Sequence, residues 1–210
     1  MHRVIILGIQ RSGTNYLEYL TKRVYRDVGI MYFDHADYIW KHTAVEQTLD
    51  PKIMHIAITK NPYMWVQSLN RYSADIYRNY GDRSTQMPKS KTKLYDKLRG
   101  TVYLESSLEL YKKLYSRWQK RSEVYVVQYE KILDKQYRQR TMQLIANHFG
   151  LEVISNPLNI NPIRVGQTND WSPNREQSYL NPNPKKYIKE VNEILGQKFI
   201  ESLGYKFINI

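Results

Sequence analysis

The sequence predicts an α/β fold: a mainly parallel sheet flanked by helices. Short runs of aliphatic, mostly β-branched residues begin near Val4, His55 and Val124, and they alternate with segments whose apolar residues recur every three or four positions. Strands that alternate with helices form parallel sheets, because each crossover helix returns the chain to the same end of the sheet. Since no linker rich in Pro, Ser or Gly divides the 210 residues, we expect one domain over 1–210.

The first strand ends in a glycine-rich turn, and an amphipathic helix follows at once. The spacing from Gly8 to Gly13 is that of a nucleotide-binding P-loop, G-x-x-x-x-G-K-[ST]. Backbone N–H groups at such a helix start bind anions. Thr14 stands in place of the motif's lysine, and Asn15 in place of the hydroxyl residue that binds magnesium. The segment therefore predicts a P-loop-like cradle that suits a single phosphate better than Mg-ATP, with no metal.

The later elements continue the alternation. A short strand is expected over 31–33, and the strand at His55 ends just before Pro62, which suits the first turn of a helix. Apolar residues from Leu104 to Trp118 have helical spacing. After the Val124 strand, one helix closes at Gly150 and a last helix follows Pro184.

The charge balance favours anionic partners. The formal net charge is +12 and the pI about 9.6, which fits a nucleotide, a sulfated or acidic glycan, nucleic acid or a membrane surface. Residues 78–100 are rich in basic residues and have no clean period, so we expect a flexible basic loop there, either a solvated face or a lid over an anionic acceptor.

Cysteine usage and hydropathy bound the location and chemistry. The absence of cysteine excludes disulfides, a thiol nucleophile and Cys-based metal sites, and it fits a reducing compartment. No stretch approaches the roughly 20 apolar residues of a membrane helix, and no signal peptide is visible. We therefore expect a cytoplasmic protein without a membrane span.

Two further groups of residues could bind a second phosphate. Lys60 follows the His55 strand at the carboxyl edge of the sheet, where open α/β folds bind ligands, and Ser68 lies on the next helix. Arg164 offers bidentate donors to phosphate from an irregular stretch, where Gly166 allows close approach of the backbone. A surface lysine, a helical serine and a loop anchored by Trp171 are the alternatives without function.

Taken together and in order, these segments resemble the sulfotransferases that use 3′-phosphoadenosine-5′-phosphosulfate (PAPS). That family has a loop P-K-S-G-T-[TN], a segment R-N-P-x-x-x-x-x-S, a Y-E-[DK]-L segment and a late loop R-x-G-x-x-G-D-W. The corresponding segments here are Gln10-Arg11-Ser12-Gly13-Thr14-Asn15, Lys60-Asn61-Pro62 with Ser68, Tyr129-Glu130, and Arg164-Val165-Gly166 with Asp170-Trp171. Arg11 replaces a lysine, Lys60 an arginine and Asn169 a glycine; the first two replacements keep the positive charge.

The resemblance implies a PAPS site, with the 3′,5′-bisphosphate of adenosine (PAP) as the product. It assigns donor binding to Arg11, Ser12, Gly13, Thr14, Asn15, Lys60, Ser68, Tyr129, Arg164 and Gly166. Lys60, Ser68 and Arg164 are expected at the 3′-phosphate, and the loop from Arg11 to Asn15 at the 5′-phosphosulfate.

Sulfuryl transfer needs neutralisation of the leaving phosphate and a base for the acceptor proton. Arg11 is expected at the leaving group, and His42 is the candidate base because it resembles the Lys-His segment that family members place beside the acceptor. Lys41 would then bind the sulfuryl oxygens. His35 and Glu46 are alternative bases.

The function expected from the sequence is sulfuryl transfer from PAPS to a hydroxyl or amine acceptor, including a carbohydrate, without a metal. A P-loop kinase or NTPase is a second candidate, although the motif lysine and a clear acidic strand end are missing. A third is a basic nucleic-acid-binding protein without catalysis, which would not need Ser68 or the Arg164 loop.

Overall fold

A computed structural model describes residues 1–9, 11–31, 49–68, 91–96, 101–160 and 184–210. These residues divide into two compact units, which are described one at a time. Of the described residues, the first unit contains 1–9, 11–31, 49–60 and 118–160, and the second contains 61–68, 91–96, 101–117 and 184–210. The expectation of one domain over 1–210 stays a prediction.

The first unit is built on a four-stranded sheet of order β2-β1-β3-β6. Its strands are β1 (His2–Leu7), β2 (Val28–Ile30), β3 (Met54–Thr59) and β6 (Val124–Gln128). All three neighbouring pairs are parallel, with Leu7 opposite Ala57 and Thr59 opposite Gln128 near their carboxyl ends. The prediction of an α/β fold with a parallel sheet is confirmed for the described residues.

Helices cover this sheet and complete the core of the unit. They are α1 (Thr14–Val24), α4 (Tyr129–Leu133) and α5 (Lys135–Phe149), with a 3-10 turn at Pro157–Asn159. Buried aliphatic side chains of β1 and β3 pack with one face of α1 and with α5. This cluster includes Val4, Ile6, Leu17, Leu20, Ile56, Ile58, Met142 and Ile145. The parallel strands are aliphatic over most of their length because the interior strands β1 and β3 are buried.

The ends of α5 have clear local causes. The Asp134 side chain accepts a hydrogen bond of 2.9 Å from the amide of Gln136, which caps the start of the helix. Gly150 ends it with φ of 66°, as predicted from the sequence. Arg138, 1 % exposed, points inward from this helix and donates to the carbonyl oxygens of Ile132, Leu133, Pro157 and Ile160.

The second unit contains the remaining elements. Residues 62–68 are helical (α2), and the hairpin β4 (Lys91–Asp96) and β5 (Thr101–Ser106) leads directly into α3 (Ser107–Gln119). The helices α6 (Pro184–Leu195) and α7 (Gln197–Ser202) follow. The Tyr63 hydroxyl donates to Asn192 Oδ1 at 2.6 Å and accepts from the Ile208 amide at 3.2 Å, which fixes the C-terminal segment to α2 and α6.

Several element predictions need correction. The short second strand is Val28–Ile30 rather than 31–33; Met31 lies beyond its end, and 32–33 lie outside the described residues. Leu104 belongs to β5 rather than to a helix, because the chain pairs with β4 before α3 begins. Strand β4 lies in the expected loop 78–100, of which 78–90 and 97–100 fall outside the described residues. The last helix is interrupted at Gly196, whose φ of 76° and ψ of 153° are not helical.

Candidate functional site

The turn after β1 forms a tight loop at the carboxyl end of the sheet. Ser12 is fully buried; its hydroxyl donates to the carbonyl oxygen of Ile9 at 2.7 Å, and its amide donates to the same oxygen at 3.1 Å. These two bonds close the loop. Ser12 therefore uses its hydroxyl to shape the turn, and its expected contact with a donor stays a prediction.

Glycine is required at two positions of this loop. A Cβ on Gly8 would lie 2.6 Å from both Ser12 Oγ and Thr14 Cγ2, distances that real Cβ atoms do not show. Gly13 has φ of 100°, and a Cβ there would overlap the ring of Tyr129. The two glycines that define the sequence spacing thus allow Ser12, Thr14 and the Tyr129 ring to pack directly against the loop backbone.

The same loop starts helix α1. Gly13 is the N-cap residue, and its carbonyl oxygen accepts from the amides of Tyr16 and Leu17 at 3.1 Å. The helix has 11 residues, so the positive end of its dipole and the first amides, from Thr14 onward, lie at the loop. Arg11, which is exposed, has the positive φ of 66°, a conformation that L-residues other than glycine adopt at a cost. Backbone donors, the positive end of the helix dipole and the basic residue Arg11 therefore belong to the same loop.

Lys60 and Tyr129 follow the next two strands, at the same edge of the sheet. Lys60 comes directly after β3 and is 7 % exposed; Tyr129 is the first residue after β6. Lys60 Nζ lies 4.8 Å from the centroid of the Tyr129 ring, within the range of a cation–π interaction. Because β3 lies between β1 and β6, the sheet places the loop, the ammonium group and the ring side by side.

The structure thus brings together part of the predicted site. Arg11, Ser12 and Gly13 lie in one loop, and Thr14 and Asn15 lie in the first turn of α1 that follows it. Tyr129 lies against Gly13, and Lys60 lies beside Tyr129. Ser68 lies in α2, in the second unit. The predicted residues Lys41, His42, Arg164 and Gly166, and the alternative bases His35 and Glu46, lie outside the described residues.

The contacts of Tyr129 are what the sequence reasoning missed. The Y-E pair after a strand marked this residue as a donor contact, but no spacing rule predicts that its ring covers Gly13 and faces Lys60. These contacts could have been predicted only from the order of the strands in the sheet. That order is not readable from the chain, because crossover helices allow β6 to pair with either edge.

Three comparisons put the chain beside known proteins. No family model, curated protein or solved structure gives a significant match. Among the described residues, no group of three or more His, Asp or Glu side chains is placed to hold a metal ion. Within the same residues, no helix is long and apolar enough to cross a membrane.

Proposed function

We propose that this protein is a PAPS-dependent sulfotransferase with a P-loop-like donor site. The observation that carries the proposal is the loop at the end of β1, in which closely packed glycines, Gly8 and Gly13, precede the first amides of helix α1. This loop fits an oxyanion: amides, the helix dipole and the Arg11 guanidinium all favour negative charge at its mouth. The absence of the P-loop lysine at Thr14 favours phosphosulfate over Mg-ATP.

The buried ammonium of Lys60 supports a second anionic contact. Lys60 is 7 % exposed, and a positive charge in so sheltered a place interacts strongly with a nearby anion because little water screens it. Its place after β3, one strand from the loop, suits a ligand with two phosphates such as PAPS. The motif order from Arg11 through Lys60 and Tyr129 to Arg164 is the sequence support for the same donor.

The donor supplies the sulfuryl group, which is transferred from a phosphate oxygen to an acceptor hydroxyl or amine. Arg11 and the loop amides neutralise the phosphate oxygen as its bond to sulfur breaks. His42 takes the proton that the acceptor loses as its own bond to sulfur forms, and Lys41 binds the sulfuryl oxygens. An anionic or carbohydrate acceptor suits the net charge of +12.

Calorimetric titration with adenosine-3′,5′-bisphosphate tests the proposal. We expect binding that a chelator leaves unchanged and that is tighter than binding of Mg-ATP. Lys60→Ala should weaken the bisphosphate by about 1.5–3 kcal/mol and barely affect adenosine-5′-phosphate, the range for hydrogen bonds to charged groups. Lys135→Ala removes an exposed lysine of α5 and serves as the charge-matched control.

Two results would overturn the proposal. Tight binding that requires magnesium and prefers ATP would indicate a P-loop kinase or NTPase. No binding of either nucleotide, together with tight polynucleotide binding, would indicate the nucleic-acid-binding class.

A further inference from the structure

The ring of Tyr129 joins two parts of the candidate site. The ring lies against the backbone at Gly13, so closely that a Cβ there would overlap the ring carbons. Lys60 Nζ lies 4.8 Å from the centroid of the same ring. Both contacts are made by the ring.

The ring of Tyr129 is placed to orient the Lys60 ammonium. Lysine carries a compact charge on four flexible methylenes, and its head group does not have the fixed fork of arginine. An aromatic face within about 6 Å attracts a cation, and the attraction grows as water is excluded. Since Lys60 is largely buried, the ring of Tyr129 limits where its ammonium can stand.

We propose that Tyr129 is a positioning residue, which holds the Lys60 ammonium beside the Gly13 loop through its ring and not through its hydroxyl. The inference rests on the proposed function, because it names how Lys60 is aimed at a second phosphate of the donor. The resembling family has arginine at the position of Lys60. The planar guanidinium of arginine has a fixed direction of its own, whereas here the neighbouring Tyr129 ring would orient the lysine ammonium toward the phosphate.

Nucleotide binding by two substitutions separates the ring from the hydroxyl. Tyr129→Phe keeps the ring, so it should lose clearly less affinity for adenosine-3′,5′-bisphosphate than Tyr129→Leu does. Tyr129→Leu removes the aromatic face, and we expect a loss on the order of ten- to thirtyfold, the scale of a desolvated cation–π contact. The affinity of Tyr129→Leu for adenosine-5′-phosphate should fall much less. Tyr137→Leu, at an exposed tyrosine of α5, is the matched control.

A spectroscopic measurement without ligand tests the geometry by itself. In ¹H–¹³C NMR spectra, the ε-methylene of Lys60, assigned by its disappearance in Lys60→Arg, should be shifted upfield by the ring current. The shift should persist in Tyr129→Phe and vanish in Tyr129→Leu. Unfolding curves establish that each variant is folded, and if Tyr129→Leu is not, the wild-type and Tyr129→Phe spectra still decide.

The outcomes distinguish the inference from the proposed function. An upfield-shifted Lys60 signal without bisphosphate binding would refute the sulfotransferase proposal while the ring contact stands. An unshifted signal in the wild type would overturn the inference, and so would a loss of affinity in Tyr129→Phe equal to that in Tyr129→Leu.

Discussion

At the residue scale, Arg11 combines a strained backbone with a position at the loop mouth. Its φ of 66° is one that glycine adopts freely. Backbone strain of this kind is often retained at functional positions, where the function of the side chain outweighs its cost to the stability of the protein.

Replacing Arg11 by glycine should therefore separate stability from binding. In Arg11→Gly the free energy of unfolding should be unchanged or raised by up to about 1 kcal/mol. Glycine has no Cβ, so the left-handed conformation no longer causes a steric clash at this position. Affinity for adenosine-3′,5′-bisphosphate should fall by about tenfold or more, because a charged donor is lost. Urea unfolding and calorimetry measure the two effects. Equal affinity in Arg11→Gly and the wild type would remove Arg11 from the donor site.

His55 is a second informative residue, in the middle of the sheet. It is 1 % exposed on β3, and its Nε2 has no hydrogen-bond partner among the described residues. Burial lowers its pKa below the ordinary value, and the charge of Arg121 adds to this, whereas the carboxylates of Glu123 and Asp50 oppose it less strongly. The folded protein therefore holds this imidazole neutral.

This lowered pKa predicts an acid-sensitive fold. His55 takes up a proton near pH 6.5 in the unfolded chain, but only at lower pH in the folded chain. The free energy of unfolding is therefore unaffected by this group above pH 6.5 and decreases as the pH falls below it. The slope for one such group is at most about 1.4 kcal/mol per pH unit. Urea unfolding at several pH values should show that His55→Leu has a shallower loss than the wild type. Parallel curves for the two proteins would mean that His55 titrates alike in both states.

At the element scale, Arg138 holds α4, α5 and the 3-10 turn together. Its guanidinium donates four hydrogen bonds to backbone carbonyls, at 2.6, 2.7, 2.7 and 3.3 Å. Two of these carbonyls belong to α4 (Ile132 and Leu133), whose last carbonyls have no helical partner. One side chain of α5 thus donates to carbonyls at the elements before and after its own helix.

Loss of this guanidinium should be among the costliest substitutions in the first unit. Arg138→Met leaves the carbonyls buried without donors, and at about 1–3 kcal/mol for each unsatisfied group we expect a loss of at least about 3 kcal/mol. Arg140→Met, at an exposed position of the same helix, should stay within about 0.5 kcal/mol of the wild type. Urea unfolding compares them. Similar losses in both variants would show that the network adds nothing beyond helix propensity.

The elements also show how far the sequence alone can predict the fold. Strong, local signals were sufficient: the strand before Gly8, the helix closed by Gly150 and the turn into α2 at Pro62 all occur as expected. The predictions fail where strand pairing determines the secondary structure against the local spacing of apolar residues. Leu104 fits a helical stripe with Leu108, yet its segment pairs with β4 and becomes a strand.

For the candidate site, the sequence predicts its members better than their contacts. The loop from Arg11 to Asn15 and the position of Lys60 follow from the rule that ligands bind at the carboxyl ends of parallel strands. The ring contact between Tyr129 and Gly13 depends on β6 being the neighbour of β3, and nothing local to Tyr129 encodes that order.

At the scale of the whole molecule, the net charge of +12 favours weak, non-specific binding to polyanions. Such binding is driven by release of counterions, so it weakens steeply with salt. A small ligand held in a loop and by a buried lysine depends less on ionic strength, because screening is weaker for partly buried pairs.

Salt should therefore distinguish the two kinds of binding. Between about 50 and 200 mM salt, affinity for single-stranded DNA should fall by on the order of a hundredfold or more, and affinity for adenosine-3′,5′-bisphosphate by much less. Fluorescence anisotropy and calorimetry measure the two ligands. A shallow salt dependence for DNA, with preference for one sequence, would favour the nucleic-acid-binding class.

The all-parallel order β2-β1-β3-β6 also has a consequence for when the site can exist during synthesis. The Gly8 loop is synthesised well before β6, the strand that brings Tyr129 against it. Contacts so distant in sequence form slowly, because a long intervening chain must first be ordered. A nascent chain that stops before β6 would carry the loop and Lys60 without the ring, so a nucleotide that needs all three could assist folding only after β6 and Tyr129 have emerged.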